Sequence, residues 1–309
     1  VNDAVRALAE RLGPMAQRDV ALGPLTTYGV GGAAALFVTV VGEAELNAVA
    51  QSTAGSGVEV LVVGLGSNLL VADDGFDGLV VVLGADFAEV TVDGTRVRAG
   101  ARAKLPVVAR QSAAAGLRGF EWAAGVPGSI GGAVRMNAGV PDAEMGDVLV
   151  RAGWVDLISG AVGEVEVADL HLGYRSSSVA SWQVVTWAEL DLEPGDPMAA
   201  RELIGEKTRW RRENQPGGHN AGSVFTNPEG DSAGRLIDAA GCKGLRVGTA
   251  EVSTKHANFI QVDDGGLAAD VWSLMEQVRR RVFDHVGVAL HPETCVVGLD
   301  PLFALDGEP

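Results

Sequence analysis

Cysteine is almost missing from this chain of 309 residues: Cys242 and Cys295 are the only two. They lack metal-site spacing, and two thiols cannot staple a protein of this size. A disulfide framework and a cysteine metal centre are therefore excluded, and two reduced, mostly buried thiols are expected. Basic residues are scarce beside the acids. Lysine and arginine number 24 against 40 aspartates and glutamates, a formal net charge of −16. Nucleic acid needs a basic face to meet its phosphates, so that partner class is excluded. A small anionic ligand needs only a local basic island. No apolar run approaches the ~20 residues of a membrane span. The opening Val-Asn-Asp-Ala-Val-Arg does not form a signal peptide. A soluble, cytoplasmic protein with no bound metal is expected.

What the chain does have is apolar residues, 47% of the total, enough for about two or three domains at this length. It also has glycine in dense blocks. The strongest is Gly125-Val126-Pro127-Gly128-Ser129-Ile130-Gly131-Gly132-Ala133-Val134-Arg135-Met136-Asn137-Ala138-Gly139. Glycine permits positive φ and close backbone approach. Successive free N–H groups in such turns form a concave anion site. The guest that suits this block is a pyrophosphate held by backbone donors.

Periodicity organises the rest. Val5, Leu8, Ala9 and Leu12 lie at helical spacing over residues 3–12. Leu36–Val41, a helix over 43–54 (Leu46, Val49, Ala50 and Thr53 on one face) and Glu59–Val63 read as a βαβ unit with parallel pairing. Leu79–Leu83 is a further strand. Phe87–Val92 and Thr95–Ala99 flank Asp93-Gly94, a hairpin signal. A helix over 104–115 ends at Gly116. Val148–Ile158, Val162–Val167 and Trp182–Leu192 read as strands of antiparallel character. Pro197–Asn214 is a helix carrying Arg201, Lys207, Arg209, Arg211 and Arg212, either a solvated basic face or a ligand contact. Ser232–Ala240 is a short helix closed by Gly241. Leu267, Val271, Leu274, Met275, Val278, Val282 and Val286 form one core-facing stripe over 267–286. The tail after Leu299 is expected to be poorly ordered.

Two more glycine segments compete for a nucleotide. Gly29-Val30-Gly31-Gly32-Ala33-Ala34 fits the loose G-x-G-x-x-A pattern but precedes a strand, whereas a Rossmann fingerprint opens a helix. Gly64-Leu65-Gly66-Ser67-Asn68-Leu69-Leu70-Val71 follows a strand and runs into strand-like residues. There is no Walker lysine. A nicotinamide Rossmann domain and a P-loop are both rejected. Two glycine loops clamping one long dinucleotide fit better, with Ser67, Asn68, Ser129 and Asn137 adding side-chain hydrogen bonds.

Thr27-Tyr28-Gly29-Val30-Gly31-Gly32, Gly64–Leu70 and Gly125–Gly139 occur in this order in one family. They are followed by Gly173-Tyr174-Arg175-Ser176-Ser177, Asn220–Pro228, Ala233–Asp238 and Leu290-His291-Pro292-Glu293. Over about residues 20–299 the chain resembles the UDP-N-acetylenolpyruvoylglucosamine reductases, flavoenzymes that make UDP-N-acetylmuramate for peptidoglycan. The resemblance implies an α+β protein with an FAD-binding fold of the vanillyl-alcohol oxidase (PCMH) type in two subdomains, 1–84 and 85–210. An α+β substrate-binding domain over 211–299 and a tail over 300–309 would follow. It implies FAD as cofactor, with NADPH and UDP-N-acetylglucosamine enolpyruvate as partners. In the family reaction NADPH reduces FAD, whose N5 passes hydride to C3 of the enolpyruvyl ether while C2 takes a proton. No histidine or cysteine lies at 64–71 or 125–139 to tether a flavin, so the FAD is expected to be non-covalent.

The residue roles follow from the same resemblance. Tyr28, Gly64, Gly66, Ser67, Asn68, Leu69, Gly125, Gly128, Ser129, Gly131, Gly132 and Asn137 would hold the cofactor. Arg175 would stabilise the carboxylate that gains charge, Ser223 would donate the proton, and Glu293 would act beside Arg175. Tyr174, Arg212 and Asn227 would contact substrate, and Lys243, Arg246, Lys255 and His256 could form the basic island. This chain departs from the family at Thr226, where lysine is usual, and at Val140-Pro141-Asp142. The short run from Arg175 to Trp182 leaves no room for the inserted loop of one subclass, so the shorter second type is expected. Another FAD-linked oxidase on the same fold, or a flavin-binding homologue without turnover, remain as alternatives.

Overall fold

A computed structural model of the chain describes residues 3–302. The expected disordered tail lies, from Phe303 onward, outside the described residues. The chain divides into two compact units. The first holds residues up to Val20, Ala34–Leu65 and Asp77–Arg211; the second holds Ala21–Ala33, Gly66–Phe76 and everything from Arg212.

In the first unit, the helix Asp3–Leu12 buries Val5, Leu8, Ala9 and Leu12, and Glu43–Thr53 buries Leu46, Val49, Ala50 and Thr53, the faces read from the spacing. The four-stranded sheet runs in the order Gln17–Ala21, Ala33–Val40, Phe76–Leu83, Val60–Val63. The two strands of the expected βαβ unit share this sheet but do not pair. Phe76–Leu83 lies between them, parallel to Val60–Val63 with Val60 opposite Leu79. Its residues are buried almost throughout. A strand covered on both faces belongs at the centre of a sheet, and pattern alone does not order such strands.

The second sheet is antiparallel, in the order Val162–Glu166, Leu149–Asp156, Gln183–Asp191, Arg96–Gly100, Val90–Asp93. Asp93 faces Arg96 across a Gly94-Thr95 turn, with Gly94 at φ +58°. The hairpin starts later than the pattern suggests, because Ala85–Ala88 winds into a 3₁₀ turn. The change from one sheet to the other falls between Leu83 and Val90, while one hydrophobic core joins both.

The antiparallel sheet stacks aromatic rings on glycines. Gly153 pairs with Trp187, and Trp154 with Gly163. A Cβ on Gly153 would overlap the Trp187 indole. The guanidinium of Arg98 lies 3.5 Å from the centroid of that ring, a cation–π contact. Arg151 bridges Glu164 at 2.9 Å and Glu189 at 3.2 Å.

The second unit has its own core, around the helix Ala268–Val286 and the sheet Arg246–Val247, Ala250–Val252, Ile260–Val262. The helix buries Val271, Leu274, Met275, Val278 and Val282; the expected stripe ends, Leu267 and Val286, are exposed, and Arg279 is buried instead. The carboxylate of Asp73 accepts the N–H groups of Ala268 (2.8 Å) and Ala269 (2.9 Å). It caps the helix N-terminus, where donors are otherwise unpaired. Tyr28, Val30 and Leu70 belong to this core, and Leu69–Val71 pairs in parallel with Cys295–Val297. Burial of these apolar side chains groups 21–33 and 66–76 with this unit. Neither cysteine forms a disulfide; Cys242 is buried and Cys295 half-buried. No helix among the described residues is long and apolar enough to cross a membrane.

The tryptophan–glycine stacking yields a stability prediction. Gly153→Ala should push Trp187 off its glycine and lower stability by about 1–3 kcal/mol, the usual range for overpacking. A urea titration with an unchanged midpoint would refute that packing role.

Candidate active site

The glycine block of the first unit is not all loop. Ile130–Arg135 forms a six-residue helix directly after Ser129. The block is strapped to residues 101–105: Ile130 N–H donates to Ala103 (3.0 Å), Gly131 N–H to Ala101 (2.8 Å), and Leu105 N–H to Gly128 (3.0 Å). Its glycines have different reasons to be glycine. Gly128 has φ +135°. A Cβ on Gly131 would stand 2.9 Å from the Ala101 Cβ, and one on Gly64 2.9 Å from Ser129 Oγ. The two glycine loops therefore touch at Gly64 and Ser129. Gly125 and Gly132 have no positive φ, and a Cβ there would meet nothing among the described residues closer than 3.9 Å. Nothing internal requires glycine at these two positions; close approach by a bound molecule would.

The start of this block is reached by the basic residue Arg211. Its Nη1 donates to the Gly125 carbonyl at 2.6 Å, and burial lowers its pKa. Arg212, expected as a substrate contact, is exposed in the second unit, where its carbonyl accepts from Lys255 Nζ at 2.8 Å. Helical phase holds the signal for Arg211: it lies two turns beyond Ile204, which is buried with Ala200.

Asn137, expected among the cofactor contacts, is wholly buried at φ +40°. Its Nδ2 donates to the Gly173 carbonyl (3.1 Å) and its Oδ1 accepts the Gly146 N–H (2.9 Å), so its amide works inside the chain. The Gly173–Ser176 turn is closed by two backbone bonds of 3.0 and 3.1 Å. Arg175 stands in it at φ +55°, a left-handed conformation that strains a non-glycine residue. Its Nη2 donates to the Gly139 carbonyl at 2.9 Å, and the guanidinium lies 4.9 Å from the ring of Tyr174, which is exposed. The end of the glycine block and the arginine turn thus form one assembly.

The second unit makes a comparable assembly around Ser223 and Glu293. Phe225 bridges Pro292 in antiparallel sense. Glu293 N–H donates to the Val224 carbonyl (2.8 Å), and Thr226 N–H to that of His291 (2.9 Å). Ser223 is the residue before this strap and follows Gly222 at φ +79°. Asn68 joins it: its Nδ2 donates to the Glu293 carbonyl at 2.8 Å, and its own carbonyl accepts Cys295 N–H at 3.0 Å. Gly66 accepts the Thr27 N–H (3.0 Å), and a Cβ on it would overlap the Leu25 carbonyl. Ser67 is half-buried beside it and Leu69 is buried. Tyr28 is 1% exposed, and its hydroxyl has no partner among the described residues; burial raises its pKa.

The basic island is largely neutralised. Lys243 pairs with Asp238 at 2.7 Å, and Arg246 with Glu251 at 3.0 Å and with Asp263. Asn227 is exposed, and its Oδ1 accepts the Ala233 N–H (3.0 Å) at the start of the helix Ala233–Ala239. His256 is held below the ordinary histidine value of 6.5, first by burial and then by the charge of Lys243. Its Nδ1 accepts the Asn258 N–H at 3.3 Å.

Residues 214–297 match the family model described as UDP-N-acetylenolpyruvoylglucosamine reductase, C-terminal domain, and 34–166 match that of an FAD binding domain. A UDP-N-acetylenolpyruvoylglucosamine reductase from Rubrobacter xylanophilus is 42% identical over 293 residues, 94% of this chain and 97% of its own. One from Paramagnetospirillum magneticum is 43% identical over 282 residues, 91% of each chain. The crystal structure of UDP-N-acetylenolpyruvylglucosamine reductase from Thermus caldophilus is similar with a TM-score of 0.79 at 37% identity, covering 91% of this chain and 98% of that one.

The histidine gives a pH prediction. The unfolded chain takes up a proton near the ordinary value of 6.5 that the folded His256 resists. Stability from this group is therefore full above that value and is lost as pH falls below it. In His256→Gln the drop in urea midpoint between about pH 7.5 and about pH 5.5 should be smaller than in the wild type. An undiminished drop would assign the acid sensitivity elsewhere.

Proposed function

Because the chain belongs to the UDP-N-acetylenolpyruvoylglucosamine reductase family, we propose that it reduces the enolpyruvyl ether of UDP-N-acetylglucosamine enolpyruvate to UDP-N-acetylmuramate. NADPH is the reductant and FAD the non-covalent cofactor. The enzyme is a soluble cytoplasmic one that supplies peptidoglycan synthesis, and with it cell-wall growth and division. Residues 1–84 and 85–210 act as the two flavin subdomains, and 211–299 as the substrate domain.

The observation that best supports this reading is the strap in which Glu293 N–H bonds the carbonyl of Val224, the residue next to Ser223. The residues present also suit the cofactor. Gly125 and Gly132 leave open space where a Cβ would stand, and the Tyr28 hydroxyl is a buried donor with no partner among the described residues. Gly64, Gly66, Ser67, Asn68, Gly125, Gly128, Ser129, Gly131 and Gly132 hold the dinucleotide, with the Arg211 guanidinium as the positive charge at the block. FAD, when bound, supplies the hydride for C3 of the enolpyruvyl group.

Hydride addition to an unsaturated carboxylate builds negative charge on that carboxylate. Arg175 meets it with a planar fork that cannot be deprotonated. The Ser223 hydroxyl delivers a proton to C2, and Glu293 stands beside the intermediate with Arg175. Tyr174, Arg212 and Asn227 contact the nucleotide sugar.

Anaerobic flavin spectroscopy tests the assignment. Bound FAD should be reduced by NADPH and promptly reoxidised by the enolpyruvyl sugar; reoxidation by air alone would make the protein an oxidase. In Ser223→Ala the first half-reaction should stay near normal and the second slow by about 10²–10⁴-fold, the usual contribution of general acid catalysis. Equal slowing of both would remove the donor role. Gly132→Ala should leave the apoprotein as stable as the wild type or slightly more so, since alanine favours a helix by about 1 kcal/mol, yet lower its flavin content. Full flavin retention on gel filtration would refute the open-glycine argument.

A further inference from the structure

Asn258 lies outside every glycine motif and is only 3% exposed. Its backbone carbonyl accepts the Val224 N–H at 2.9 Å. Its Oδ1 accepts the Phe225 N–H at 3.0 Å, and its Nδ2 donates to the Phe225 carbonyl at 2.8 Å. The reason for this arrangement lies across the strap. Phe225 faces Pro292, and the bonds between the two stretches are Glu293 to Val224 and Thr226 to His291. That is the non-hydrogen-bonded kind of antiparallel pair, in which the paired residues point their own N–H and C=O outward. A proline suits this position, having no N–H to offer. Phe225, itself 1% exposed, is thereby left with two buried backbone groups facing away from 291–293, and such groups need partners. Among the described residues no regular strand borders Phe225 on that side. The Asn258 amide takes the place of one, supplying one donor and one acceptor.

We infer that Asn258 is a positioning residue for proton delivery: by fixing Phe225 it sets where the hydroxyl of Ser223, two residues earlier, stands relative to Glu293. The inference rests on the reading of Ser223 as donor. It also accounts for a buried asparagine that makes no use of solvent. A misplacement of about 1 Å at a reacting group costs on the order of 100-fold in rate, so the strap has to be held to better than that.

Asn258→Asp is the informative variant. It keeps the shape and the acceptor for the Phe225 N–H, and at neutral pH it loses the donor to the Phe225 carbonyl. In the FAD-loaded variant under anaerobic conditions, flavin reduction by NADPH should stay within about twofold of the wild type. Reoxidation by UDP-N-acetylglucosamine enolpyruvate should slow by about 100-fold, in kcat rather than KM. The loss should shrink as pH falls, because the protonated carboxyl regains an O–H donor. Equal slowing of both half-reactions, or reoxidation at the wild-type rate, overturns the inference. If Asn258→Asp does not fold, Asn258→Gln, whose donor and acceptor are displaced by one methylene, is put to the same comparison of half-reactions. A wild-type protein that the sugar fails to reoxidise would instead remove the function proposed above, an outcome distinct from both.

Discussion

Every polar backbone group buried near the candidate site has to find a partner, and the bond from Glu293 N–H to the Val224 carbonyl meets that demand where no sheet is available. The stretch 223–226 is neither helix nor strand, yet Val224 and Phe225 are buried. The backbone groups of Val224 and Phe225 are satisfied by the Glu293 N–H and by the carbonyl and side-chain amide of Asn258. Asn68 then ties the Glu293 carbonyl to the strand Leu69–Val71. A loop held this way presents its side chains as reproducibly as a strand would, while leaving Ser223 at its end with a backbone that Gly222 allows to turn.

The first unit applies the same rule with different parts. Asn137 gives both ends of its amide to the backbone, at Gly173 and Gly146, and Arg175 returns a bond to Gly139. Two non-glycine residues stand in left-handed conformations there, Asn137 at φ +40° and Arg175 at φ +55°. Strain of this sort survives only where the surroundings over-determine it, and the crossed bonds between 137–139 and 173–175 do so. In both units a buried asparagine does the holding, because its side chain carries a donor and an acceptor at the spacing of a peptide group.

The glycines separate into kinds that composition alone merges. Some are demanded by φ, as at Gly94 and Gly222. Others are demanded by the close approach of the chain itself, as where a Cβ on Gly66 would overlap Leu25, or one on Gly131 would crowd Ala101. Gly125 and Gly132 are demanded by neither. Only this last kind speaks to a ligand, and it falls within the block that the sequence singles out for its density.

The buried faces of the helices Asp3–Leu12 and Glu43–Thr53 were legible in the sequence to the residue, because a face that must be buried imposes its own period. Family membership was legible too, since the ordered motifs run through most of the chain and the relatives match over nearly all of it. Tertiary structure alone decided three things. It placed Phe76–Leu83 between two strands expected to pair, because a strand buried on both faces carries no signal of its neighbours. It grouped 21–33 and 66–76 with the second unit, since the partners of Tyr28 and Leu70 lie far along the chain. It also decided which polar side chains face inward. Asn137 and Asn258 serve the backbone, Lys243 and Arg246 serve nearby acids, and Arg211 reaches the glycine block. A polar residue has the same letter whether it meets a ligand, a carboxylate or a peptide group, and only the fold brings one of these within hydrogen-bonding distance.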